Sequence, residues 1–91
     1  MVDANKVREN LEEWLENPHW AAYYNDAPSD KLKEYIALDF YYSETEEEEA
    51  AETMDAIEPE LSIEDWKHLL KYSGNTPARA KIMKKIVELE K

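Results

Sequence analysis

The stretch Ser29-Asp30-Lys31-Leu32-Lys33-Glu34-Tyr35-Ile36-Ala37-Leu38-Asp39-Phe40-Tyr41-Tyr42-Ser43 decides the fold. Ser29 is a helix N-cap residue type, and Leu32, Tyr35, Ile36 and Phe40 recur at the three- and four-residue spacing of one helical face. Leu38, Tyr41 and Tyr42 cover much of the remaining circumference. A helix that is apolar on several sides is central or covered by a partner. Residues 30–43 are therefore expected to form a helix that is either central in the bundle or covered by a partner.

Toward the N-terminus, Val7, Leu11, Trp14 and Leu15 share a stripe, and Glu9, Glu12, Glu13 and Glu16 lie opposite. This predicts a helix over residues 3–16, capped by Asp3 and closed by Asn17-Pro18, because the residue before proline disfavours the α region. Pro18 opens a short helix over 18–25 with Asn17 as its cap, and Asn25-Asp26-Ala27-Pro28 is turn chemistry. Toward the C-terminus, Ser43 with Glu46 and Thr45 with Glu48 both have capping-box spacing, which predicts a helix over 45–58 that ends at Pro59. Its inward face is Ala50, Met54 and Ile57; Glu48, Glu49, Glu52 and Asp55 point away. Ser62, followed by Glu64 and Asp65, opens a helix over 62–73, with Ile63, Trp66, Leu69 and Leu70 inward and Gly74 as a left-handed C-terminal cap. Thr76-Pro77 reads as the cap and first residue of a last helix over 77–90, striped by Ala78, Ile82, Ile86 and Leu89. No strand pattern and no internal repeat is present. The expected fold is all-α: a compact bundle of five to six short helices, one domain over residues 1–91.

Composition excludes several classes. The chain has 91 residues, 43% of them apolar, with three Trp, six Tyr and one Phe, which is too rich for a disordered chain. The absence of cysteine excludes a disulfide scaffold and thiol chemistry. A single glycine excludes a phosphate-cradling loop and a dinucleotide fingerprint. The opening Met1-Val2-Asp3-Ala4-Asn5 is no signal stretch, and no apolar run approaches a membrane span, so the expected location is cytoplasmic and no membrane contact is expected.

The net charge of −11 is unevenly placed. Residues 44–65 hold eleven acids and no base, whereas residues 66–91 hold two acids and seven bases. The acidic block would repel a phosphate backbone, so direct nucleic-acid binding is not expected. A basic partner is electrostatically permitted.

Among candidate chemical groups, Asp39 stands out. On the helical wheel it lies between Leu32, Tyr35 and Ile36, and its neighbours Ile36, Ala37, Leu38, Phe40, Tyr41 and Tyr42 carry no charge. A carboxylate there must find donors or take a raised pKa. Either it is a satisfied structural group or it lines a pocket. His68 falls off the Trp66–Leu70 stripe and is expected as a surface imidazole; Asp65 with His68 has the spacing of half a carboxylate metal motif whose second half is missing. His19, beside Pro18, is expected in a packing or capping role. No metal or cofactor is implied.

Eight of the ten aromatics fall within residues 14–42 and are expected to supply the core. The adjacent pairs Tyr23-Tyr24 and Tyr41-Tyr42 cannot both face inward, and exposed tyrosines favour protein contacts. The residues carry no family signature. The leading expectation is a non-enzymatic protein–protein interaction module, of the kind found among small bacterial or phage accessory factors. It would bind another protein through Tyr23, Tyr24, Tyr41 and Tyr42. An alternative is an acidic nucleic-acid mimic that acts through residues 44–65, with Glu48, Glu49, Glu52 and Asp55 as contacts. A second is a small ligand binder or enzyme that uses Asp39 with His19.

Overall fold

The computed structural model describes residues 2–91. Six α-helices follow one another: α1 (Ala4–Trp14), α2 (Pro18–Asn25), α3 (Asp30–Thr45), α4 (Glu48–Ile57), α5 (Ile63–Tyr72) and α6 (Thr76–Glu90). A 3-10 turn over Glu58–Glu60, containing Pro59, joins α4 to α5. No strand occurs among the described residues, and no helix there is long and apolar enough to cross a membrane. The chain is an all-α bundle with a radius of gyration of 12.9 Å, close to the roughly 12 Å of a compact domain this long.

Side-chain caps set most helix starts. Asp3 accepts from the Asn5 N–H at 2.9 Å, Asn17 from His19 at 2.9 Å, and Ser29 from Leu32 at 3.1 Å. Ser62 and Asp65 form a reciprocal capping box at the start of α5. Helix α3 is the axis: α1, α2 and α4 all pack on it, and Leu32, Ile36, Ala37, Leu38, Phe40 and Tyr41 are buried along it. Phe40 stacks on Trp14 with centroids 4.5 Å apart, and Trp20 meets both rings edge-on. Such ring pairs add about 0.5–1.5 kcal/mol each beyond the area they bury. Helix α6 lies on α5 and buries Ile82 and Ile86.

Two junctions depart from expectation. Neither Ser43–Glu46 nor Thr45–Glu48 forms a capping box. The hydroxyls of Ser43 and Thr45 donate backward to the carbonyls of Asp39 and Tyr41, both at 2.9 Å. That i to i−4 bonding prolongs α3 to Thr45. The chain then reverses through Glu46, which is left-handed at φ 56°, and α4 starts at Glu48 without a side-chain cap.

Gly74 is not left-handed; among the described residues only Glu46 has positive φ. The end of α5 is closed by Arg79 instead, whose Nη1 donates at 2.9 Å to the carbonyls of both Leu70 and Ser73. A guanidinium on α6 thus satisfies groups that a glycine cap would otherwise satisfy. Asn75, not Thr76, caps α6, accepting from the Ala78 N–H at 3.1 Å.

Among the described residues one carboxylate is sealed in the fold, and it is Asp65, 2% exposed. Besides its capping-box bonds with Ser62, it accepts from the Ser29 hydroxyl at 2.9 Å. Ser29 and Asp65 therefore tie the N-termini of α3 and α5 together.

Candidate functional site

Helices α2, α3, α5 and α6 do not close completely on one another. Between them lies a cleft of about 280 Å³. Trp20 and Tyr23 line it from α2, one turn apart; Tyr35 and Asp39 line it from α3, also one turn apart. The opposite wall is Trp66, Leu69 and Tyr72 at three-residue spacing on α5. Lys81, Ile82 and Ala78 on α6 and Ser73 in the connecting turn complete the mouth. Each helix contributes residues from a single stripe, so the cleft is a gap in the core facing solvent rather than a groove between loops.

Asp39 is half-buried, and its carboxylate accepts no hydrogen bond among the described residues. Desolvation raises its pKa above the ordinary aspartate value. The Tyr23 and Tyr35 phenols are pushed far above theirs, mainly by burial, and for Tyr35 next by the charge of Glu58. The Asp39 charge adds to both shifts. Both phenols stay protonated. Tyr35 donates to Glu58 at 3.4 Å, and Lys81 holds the same carboxylate at 3.2 Å, so the cleft's one lysine is already paired.

The two histidines flank the cleft. His19 is exposed, its ring 4.6 Å from Trp20 and 5.7 Å from Tyr72, both cleft walls. It shares no hydrogen bond with Asp39 among the described residues. His68, expected at the surface, is half-buried: its Nε2 lies 2.6 Å from the Tyr23 carbonyl, and its ring stacks on Tyr23 at 5.5 Å. A carbonyl only accepts, so Nε2 carries the proton. This bond fixes the end of α2 against α5 and so holds Tyr23 in the cleft wall. Asp65 and His68 turn to different partners, and no cluster of metal-ligating groups occurs among the described residues.

The tyrosine surface is smaller than the sequence suggests. Tyr23 and Tyr41 are 6% and 4% exposed and belong to the core. Tyr24 is half-buried, and Tyr42 is 36% exposed. Tyr41 donates to Glu47 at 2.9 Å, which holds its phenol protonated. Glu48, Glu49, Glu52 and Asp55 are exposed on α4. Across the acidic block, Lys31 pairs with Glu60 at 3.7 Å and Lys81 with Glu58 at 3.2 Å.

Compared with protein-family models, characterised proteins and solved structures, the chain matches none.

Proposed function

We propose that this chain is a non-enzymatic binding protein whose recognition site is the ring-lined cleft around Asp39. The observation that carries this reading is a carboxylate left without a donor at the wall of a 280 Å³ cleft. An unpaired, partly desolvated charge opposes folding, and such strain concentrates at sites used for something else. The cleft also lacks a proton-transfer pair. Tyr23 and Tyr35 stay protonated, Lys81 is engaged by Glu58, and Ser73 has no base within hydrogen-bond reach.

The test is a nuclear magnetic resonance screen of small neutral, anionic and cationic fragments. Binders should shift the amides of Trp20, Tyr35, Tyr72 and Ala78. Ala78→Trp, which fills the mouth, should abolish those shifts. A screen in which nothing perturbs these residues overturns the reading, as does a fragment that is chemically converted.

A second reading keeps a basic protein as partner for the outer face of α4. It is favoured by Glu48, Glu52 and Asp55, which are exposed and carry no ion pair among the described residues. Binding of a lysine-rich peptide should then weaken steeply with salt. A salt-insensitive affinity would exclude it.

A further inference from the structure

The ligand class follows from the cleft's chemistry, on the reading that the cleft is the recognition site. We infer that it takes a small N-methylated ammonium cation, with Asp39 as counter-ion and the rings of Trp20, Tyr23, Tyr35, Trp66 and Tyr72 as walls.

Charge selects the sign. An anion would meet the Asp39 carboxylate and the −11 net charge of the chain, whereas a cation is concentrated by both. The neighbouring phenols carry no positive charge in either protonation state, and neither donates to Asp39 among the described residues. Lys81 does not supply it either. Its ammonium lies 3.2 Å from Glu58, and its side chain is 57% exposed.

Volume selects the size. About 280 Å³ corresponds to roughly nine waters at about 30 Å³ each. That suits a ligand of around ten heavy atoms, or the end of one long side chain, and not a nucleotide or a folded peptide.

Hydrogen-bond capacity selects the kind of cation. A guanidinium brings five donors and a primary ammonium three, all of which need acceptors once desolvated. The cleft offers the Asp39 carboxylate and a few hydroxyls, of which Tyr35's already donates to Glu58. A trimethylammonium brings no donor. It sheds its water cheaply, and aromatic rings attract it through their quadrupoles. The source of such a group is either a free quaternary amine or a trimethylated lysine on a partner protein.

The experiment titrates the intact chain with choline and with 3,3-dimethyl-1-butanol, its neutral carbon isostere, following the tryptophan fluorescence, to which the cleft residues Trp20 and Trp66 contribute alongside Trp14. Choline should bind with a Kd of about 1 mM, given its few heavy atoms, and about tenfold more tightly than the isostere. Asp39→Asn, checked for folding by circular dichroism, should bring choline down to the isostere's affinity. Lys81→Gln should tighten choline binding, because it removes a like charge from the mouth. A trimethyl-lysine peptide that outbinds choline supports the inference with a protein as source, and the reverse order supports it with a free amine. Equal affinity for choline and isostere overturns the cation claim but leaves the cleft as a binding site. Unchanged choline binding in Asp39→Asn also overturns it. If the fragment screen is silent as well, the cleft reading falls with it.

Discussion

Replacing Asp39 by Asn should stabilise the fold at neutral pH, the opposite of what removal of a buried hydrogen-bonded carboxylate does. The side chain is half-buried, receives no hydrogen bond among the described residues, and is desolvated by the rings around it. Asn is as polar as Asp but uncharged, so what the substitution relieves is the extra cost of desolvating the charge, on the order of 1–3 kcal/mol for a partly buried group. Partial solvation puts Asp39 near the lower end, at about 1 kcal/mol. For a domain of this length that corresponds to a rise in Tm of about 4–8 °C. The sign with pH follows from linkage. Because the folded pKa is raised, the folded chain holds this proton at pH values where the unfolded chain has lost it. Stability therefore falls as pH rises through the interval between the two values. The advantage of Asp39→Asn should thus be absent below the ordinary aspartate pKa, grow through that interval and be complete above the folded value. Urea unfolding of both proteins on either side of the interval is the assay. Glu52→Gln, an exposed position with no ion pair among the described residues, controls for loss of one negative charge from an acidic chain. If Asp39→Asn is no more stable than the parent at pH 7, or gains no more than Glu52→Gln, the carboxylate has donors and the cleft argument fails.

Asp65→Ala should do the reverse and cost about 2–4 kcal/mol in urea unfolding, since it removes the carboxylate that accepts from the Ser62 N–H and leaves the Ser29 hydroxyl without its acceptor, while the Ser62 cap itself remains; a loss under 1 kcal/mol would contradict the sealed geometry. Gly74→Ala should be neutral or raise stability by about 0.4–1 kcal/mol, because the position is not left-handed and an added Cβ meets nothing within 4 Å. Glu46→Gly should stabilise by about 1 kcal/mol, because it relieves a left-handed glutamate at φ 56°; thermal melts that destabilise either variant would refute the assigned junctions. Raising salt from low to moderate should increase Tm, because screening relieves repulsion among the eleven acids of residues 44–65. The opposing loss of exposed pairs such as Lys31–Glu60 is small.

Helix type and order were legible because they depend on local pattern. The apolar stripes of α3 and α5 and the caps at Asp3, Asn17, Ser29 and Ser62 are all written within four residues of where they act. The junctions were less legible because two uses of the same residues compete. Ser43 and Thr45 can cap forward or bond backward, and only the tertiary position of α4 selects. Arg79 displaces Gly74 as the closure of α5 from outside that helix, six and nine residues beyond the carbonyls it binds. The cleft itself had a partial signal. Tyr35 and Asp39 one turn apart, and Trp66, Leu69 and Tyr72 at three-residue intervals, are readable as stripes. That the stripes face a gap rather than each other is a matter of how four helices meet.

The two carboxylates show where sequence reasoning reaches its limit and why the limit is informative. Asp39 and Asp65 both sit on helices beside apolar stripes; the sequence points to Asp39 as the candidate buried carboxylate and marks Asp65 as a first-turn acid, yet Asp65 is the sealed one. What separates them is the supply of donors. Asp65 lies at the first turn of α5, where the backbone N–H of Ser62 is free to bind it, and the chain brings the Ser29 hydroxyl to it from 36 residues away. Asp39 lies mid-helix in α3, where every nearby backbone N–H is committed to the helix, so its donors must come from a side chain, from water in the cleft or from a ligand. The neighbouring helices present rings to it instead. A carboxylate at a helix start is satisfied by the fold itself; one in the middle of a helix, facing rings and holding no protein donor, is left to water or to whatever enters the cleft. On the proposed reading, a cation that enters the cleft supplies the complementary charge.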